Sequence, residues 1–219
     1  MPQGRDLPRF LHPFAKPTRE RFITVARGEG ARIYDDAGRE YIDGMASLWY
    51  CAIGHGRAEM AAAISRQIST IEAYSAFDPF TTRVADELCE RIAHLSPLGD
   101  SRVFLCNSGS EAVDLALHMA QIATDRMDLI AVREAYHGWT LLSDAVTTSL
   151  YDNPRALETR PDWIHLVAAP NPYRGPFRGP DAAASYIAEF TNTVEMMCAQ
   201  GRPPAAFICE PVFGNAGGV

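Results

Sequence analysis

From residue 101 onward, short apolar runs rich in β-formers alternate with longer stretches of helical periodicity, and this alternation limits the fold more than any other feature of the chain. Strands are expected at 101–106, 128–133, 163–167 and 205–211, and helices at 109–123, 138–147 and 181–200. In the first of these helices Ala112, Leu115, Ala116, Met119, Ala120 and Ala123 recur at helical spacing. Apolar strands joined through helices imply an α/β fold, a mainly parallel sheet with helices on both faces. A Pro/Gly-rich loop at 171–180 interrupts the pattern.

The first hundred residues read differently. Residues 1–18 are punctuated by prolines and are expected to run as an extended arm. Residues 27–35 and 40–43, on either side of Asp36-Ala37-Gly38-Arg39, read as a β-hairpin. Helices follow at 57–73, with Met60, Ala63, Ile64, Ile68 and Ile71 on one face, and at 82–95, ending before Ser96-Pro97. The expected organisation is an arm and hairpin over 1–56, part of a small domain, and a larger domain over 57–219. The sequence stops at Gly217-Gly218-Val219, just past a buried-type strand. The expectation is therefore a sheet truncated at its C-terminal side and a chain that is a fragment.

Composition excludes several classes. A net charge of −7 without a Lys/Arg cluster argues against nucleic acid as a partner. No apolar span has transmembrane length, and no signal-peptide core is visible, so no membrane partner is expected. The five cysteines are scattered without C-x-x-C spacing, and the histidines without H-E-x-x-H, so no metal site is expected. A reducing cytoplasm is the simplest location.

Between the first strand and helix of the alternating region stands Asn107-Ser108-Gly109-Ser110-Glu111-Ala112. A helix N-terminus presents unpaired N–H groups and positive partial charge, and a glycine there lets an anion approach closely. Strand, Gly/Ser turn and helix together form a phosphate cup. Ser108 and Glu111 also have the S-x-x-E spacing of a capping box, which closes a helix start with no ligand. The segment alone supports both readings. Two further features fall at expected strand ends, where parallel sheets place their ligand crevice: Tyr136-His137-Gly138-Trp139 and Glu210-Pro211. A phosphate cup, an exposed aromatic and a carboxylate in one crevice suit a planar phosphorylated cofactor.

These pieces resemble the N-terminal part of a class-III aminotransferase, a pyridoxal-phosphate enzyme of fold type I. The matching motifs are Arg27-Gly28-Glu29-Gly30, Asp43-Gly44-Met45-Ala46-Ser47-Leu48-Trp49, Ile53-Gly54-His55-Gly56, residues 103–112, Tyr136-His137-Gly138, Glu210-Pro211-Val212 and Gly217-Gly218. They run in family order over nearly the whole chain. The resemblance implies pyridoxal 5'-phosphate as cofactor. Gly109 and Ser110, with Ser108 beside them, would hold its phosphate. Tyr136 would cover one face of the ring, next to His137. Glu210 would help orient the carboxylate partner of the pyridine nitrogen. Trp49 would line the substrate pocket, and Tyr74 and Phe77 match a segment that reaches a neighbouring subunit, so a homodimer is implied.

Transamination from an amine or amino acid to a keto acid such as pyruvate is the implied reaction. Relatives with the same cup are phospho-lyases or aminomutases, and Asn171-Pro172-Tyr173-Arg174-Gly175 resembles the branch holding phospho-lyases and alanine–glyoxylate-type transaminases. The family also requires a lysine that holds the cofactor covalently. The single lysine here, Lys16, precedes the hairpin and matches no family position, so no catalytic residue is assigned in these 219 residues. A catalytically inert truncated chain is the non-enzymatic alternative. A serine-hydrolase reading fails for want of G-x-S-x-G, and a P-loop NTPase for want of its lysine.

Overall fold

The computed structural model describes residues 9–13, 15, 16 and 18–218. The chain separates into two compact units, Met1–Val103 and Phe104–Val219.

The first unit begins with a three-stranded antiparallel meander rather than one hairpin: β1 (Val25–Glu29), β2 (Arg32–Asp35) and β3 (Glu40–Ile42). The cause is Gly30, whose φ of +55° ends β1 and turns the chain where the sequence pattern suggested one continuous strand. The second turn is closed by Asp35. Its buried carboxylate accepts the Ala37 amide at 3.0 Å, the Arg39 amide at 2.8 Å, Arg39 Nε at 2.7 Å and the Tyr41 hydroxyl at 3.0 Å. Of the expected extended arm, residues 1–8, 14 and 17 lie outside the described residues. The described part folds back, with the His12 ring stacked 3.7 Å from that of Phe22.

Two helices follow, α1 (Ala58–Thr70) and α2 (Arg83–Leu95). Thr82 starts α2 by accepting the Ala85 amide at 3.3 Å. The apolar stripe foreseen on α1 exists, and Met60, Ile64, Ile68 and Ile71 stand exposed along it.

The second unit holds α3 (Gly109–Thr124), β4 (Leu129–Val132), α4 (Leu141–Val146), the short α5 (Ala156–Thr159), β5 (Ile164–Val167), α6 (Ala182–Ala199) and β6 (Ala206–Ile208). Its sheet is parallel with order β5-β4-β6, and Leu129 stands level with Ile164 and Ala206. β4 is buried at all four positions, as a central strand covered on both faces should be. Strand alternation splits the core in two. Ile130 and Val132 pack with Val167 and with Met197, Phe190 and Val194 of α6. Leu129 and Ala131 pack with Ile164, with Leu117 and Val113 of α3, and with Val146, Leu142 and Ala145 of α4. The expectation of helices on both faces of a parallel sheet therefore holds.

One expected strand does not form. Residues 101–106 are irregular. β4 pairs on both edges with β5 and β6, and 101–106 pairs with none of these strands, so the segment has the composition of a strand without the pairing that makes one. The strand expected at 205–211 shortens to Ala206–Ile208, which leaves Cys209 exposed instead of inside an apolar strand.

Candidate functional site

The site grows from the start of α3. Ser108 is its N-cap: its hydroxyl accepts the Glu111 amide at 3.2 Å, and the Glu111 carboxylate accepts the Asn107 amide at 2.8 Å. The capping box is thus made, with its return bond shifted one residue upstream. It leaves the backbone amides of Gly109 and Ser110 without an acceptor among the described residues. Cap and cup are compatible, because they use different donors of the same helical turn.

Ser110 is 8% exposed and ties the cup to the loop after β4. Its hydroxyl accepts the Trp139 amide at 3.3 Å, and its carbonyl accepts the Thr140 hydroxyl at 3.2 Å. Gly138 is required between them. A Cβ at Gly138 would lie 2.5 Å from Ser143 Oγ and 2.6 Å from Ser110 Oγ, and its φ is +143°. The loop is also held from below by two buried threonines at the end of α4. Thr147 Oγ1 accepts the amides of His137 and Gly138 at 2.9 and 3.2 Å, and Thr148 Oγ1 accepts that of Ala135 at 3.1 Å. Asp114 of α3 binds the start of α4, accepting the Ser143 amide at 2.6 Å and the Thr140 hydroxyl at 2.8 Å.

Sequence reasoning missed Asp114, Thr140, Ser143, Thr147 and Thr148. The usable signal was Thr140 with Ser143, polar residues at the start of an otherwise apolar helix. Ser143 Oγ accepts the Thr140 amide at 3.1 Å and meets the Thr140 hydroxyl at 2.8 Å, half of a capping box whose other donor, the Ser143 amide, goes to Asp114.

Tyr136 and Glu210 meet across the strand ends. Glu210 follows β6, and its carboxylate accepts the Tyr136 amide at 3.0 Å through Oε1 and the Gly214 amide at 2.9 Å through Oε2. It clamps the loop after β4 to the loop after β6. Tyr136 itself is 36% exposed, and burial first, then the charges of Asp152 and Asp144, pushes its phenol up from the ordinary value. Burial holds the His137 imidazole below its ordinary value, against the opposing pull of Glu210, so the ring favours its neutral form. Its Nε2 is buried with no hydrogen-bond partner. Ser108, Gly109, Ser110, Tyr136, His137 and Glu210 are thus tied together in the second unit by their own turns and by hydrogen bonds from backbone amides to side chains.

The remaining sequence-derived residues belong to the first unit. Trp49 is 77% exposed and closes a run of four left-handed residues, Ala46, Ser47, Leu48 and Trp49, with φ of 45°, 53°, 54° and 85°. Such a run costs about 1–2 kcal/mol per residue. Tyr74 and Phe77 are also exposed, and Tyr74 meets the Phe80 ring edge-on at 5.2 Å. Among the described residues no cluster of His, Cys, Asp and Glu could hold a metal ion, and no helix is long and apolar enough to cross a membrane.

A parallel sheet with an anion-ready helix start, an aromatic loop and a carboxylate clamp at its strand ends is the frame of a nucleotide- or phosphate-cofactor enzyme. Residues 14–219 match the class-III aminotransferase family, and the chain belongs to it. It is 32% identical over 203 residues to an alanine–glyoxylate aminotransferase 2-like protein of Drosophila melanogaster, covering 89% of this chain and 39% of that protein. It is 31% identical over 154 residues to an ethanolamine-phosphate phospho-lyase homologue of Caenorhabditis elegans, covering 70% and 32%. Among solved structures, an amine transaminase from an uncultivated Pseudomonas species in its PLP-bound form superposes with a TM-score of 0.85 at 30% identity, over 95% of this chain and 49% of that one. The fold is that of the pyridoxal-phosphate transaminases. The chain spans less than half the length of each of these three relatives.

Proposed function

We propose that this chain supplies the phosphate- and ring-holding part of a pyridoxal-phosphate site, and that the native-length protein transfers an amino group from an amine or amino acid to a keto acid such as pyruvate. The observation that carries this reading is the pair of adjacent amides, Gly109 and Ser110, left without acceptors at the first turn of α3 and tied through Ser110 to the Tyr136 loop. Two convergent N–H donors at a positive helix end match the chemistry of a phosphate. When bound, the cofactor supplies an electron sink for the bonds at the amino-bearing carbon.

The residues of this chain hold and orient. Gly109 and Ser110 bind the phosphate through their amides. Ser108 keeps the helix start closed, because its hydroxyl is already engaged by Glu111. Tyr136 covers the ring, and its height is set by Glu210, which grips its amide. The neutral His137 beside it adds no charge next to the ring. Trp49 lines the substrate pocket. The exposure of Tyr74 and Phe77 supports a homodimer in which these residues reach the partner's site. A boundary between small and large domains near residue 57 and a cytoplasmic location complete the proposal.

The test is turnover by purified native-length protein, with a panel of amines and amino acids as donors and pyruvate as acceptor. Alanine formation that requires pyridoxal phosphate supports the reading, and its absence across the panel with cofactor bound defeats it. A phospho-lyase is favoured by one observation, the similarity to the ethanolamine-phosphate phospho-lyase homologue. It predicts release of inorganic phosphate from ethanolamine phosphate without any keto acid.

A further inference from the structure

The loop between β3 and α1 holds a second constellation, made of residues to which the proposed cofactor site gives no role. Cys51 Sγ lies 3.2 Å from His55 Nδ1, and His55 Nε2 lies 2.7 Å from Asp43 Oδ2. The order is thiol, imidazole, carboxylate. A hydrogen on Nε2 is donated to Asp43, which leaves Nδ1 as an acceptor facing the thiol. Each member is fixed independently. The Asp43 side chain is 9% exposed and also accepts the amides of Met45 and Ala46 at 3.2 and 3.0 Å. The His55 ring lies against Gly28, where a Cβ would come within 2.6 Å of its Cγ, and its backbone forms a two-bond bridge with Gly30 at 2.9 and 3.0 Å. Cys51 donates its amide to the Ala46 carbonyl and accepts the Gly54 amide, both at 3.0 Å.

A nucleophile within hydrogen-bond reach of a base that a third group orients is the arrangement that activates thiols. We propose that Cys51 is a histidine-activated thiol and the site at which this protein reacts covalently with small disulfides. In that step Cys51 Sγ forms a bond to one sulfur of a disulfide RS–SR while the RS–SR bond breaks. The thiol proton passes to His55 Nδ1, and the departing thiolate takes up a proton to leave as RSH. Cys51 is oxidised to the mixed disulfide, and the released half of the reagent is reduced. His55 is the base and Asp43 the positioning residue. The hydrogen bond from His55 holds the Asp43 carboxyl below the usual carboxylate range against the effect of burial, which keeps it ionised to stabilise the imidazolium that forms.

The other cysteines provide internal references. Cys198 and Cys209 are exposed, whereas Cys51 is half-buried. Access alone therefore ranks Cys51 below them, and activation ranks it above them. The experiment treats native-length protein with limiting 2,2'-dipyridyl disulfide at neutral pH and maps the mixed disulfides by mass spectrometry. The expected result is that Cys51 carries the first equivalent, reacting at least about tenfold faster than Cys198 or Cys209, a modest share of what a positioned base contributes. His55→Gln should remove that advantage and leave the rates at Cys198 and Cys209 unchanged, and Asp43→Asn should reduce it. Reaction at Cys51 no faster than at Cys198 and Cys209 in the wild-type protein overturns the proposal, whatever the variants do. So does a His55→Gln protein that keeps the full advantage of Cys51.

Discussion

Glu210 gives the sharpest perturbation, because one atom exchange separates a charge that clamps two loops from a side chain that merely fills space. Both of its oxygens accept backbone N–H groups, from Tyr136 at 3.0 Å and from Gly214 at 2.9 Å. A hydrogen bond to an ionised acceptor contributes about 1.5–3 kcal/mol. Glu210→Gln keeps the shape and one acceptor oxygen, but sets an NH2 group against an N–H. It should lose one of the two bonds and cost about 1.5–3 kcal/mol. Glu210→Ala loses both. Water can reach this half-buried group, so its cost should stay near 2–4 kcal/mol instead of the full sum. The assay pairs denaturant midpoints with hydrogen exchange at the Tyr136 and Gly214 amides, whose protection should fall in both variants. A glutamine variant within about 0.5 kcal/mol of wild type, the scatter of ordinary surface substitutions, with both amides still protected, would refute the clamp.

Tyr136→Ala in the native-length enzyme should weaken cofactor holding by about 1–3 kcal/mol, the scale of a lost ring contact, read as the equilibrium constant from cofactor titration. Gly138→Ala should cost about 2–5 kcal/mol of stability, since the added methyl meets Ser110 and Ser143 and adopts a strained φ; an unchanged melting point would show that the loop gives way. His137 has a pKa lowered by burial, so the unfolded chain takes up a proton first as pH falls. Its contribution is complete above the unfolded value of about 6.5 and is lost below it through the lower folded value, so His137→Gln should flatten the fall in melting temperature over that acid range. Residues 1–219 expressed alone, mixed with pyridoxal phosphate and reduced with borohydride, should give no stoichiometric adduct in the folded core, because Lys16 is the only lysine and precedes β1; a site-specific core adduct on peptide mapping would contradict this.

Much of the second unit could be read from the sequence because its signals are local and agree with each other. The strand at 129–132 is a continuous apolar run, the helix at 109–124 opens on Ser-x-x-Glu, and α6 keeps its period over its whole length. The errors came where structure depends on a partner far along the chain. Residues 101–106 have strand composition, yet pairing decides a strand, and no edge accepts them. The break at Gly30 was hidden for a related reason, since a single glycine in a polar run is a weak turn signal until its φ is known. In the site, the exposed motifs were visible and their supports were not. Thr147 and Thr148 look like ordinary β-branched residues, and only the three-dimensional path of the loop turns their hydroxyls into its floor. Glu210 was visible as a strand-end carboxylate, but nothing local says that its oxygens are spent on the amides of Tyr136 and Gly214.

The central claim is that the free amides at the start of α3 are the phosphate site, and a crystal structure of the native-length protein grown with pyridoxal phosphate tests it most directly. The account predicts phosphate oxygens within about 3 Å of the Gly109 and Ser110 nitrogens, ordinary hydrogen-bond reach, with the ring beside Tyr136. A bound cofactor whose phosphate makes no hydrogen bond to either amide would contradict it, and would return residues 107–111 to the role of a capping box alone.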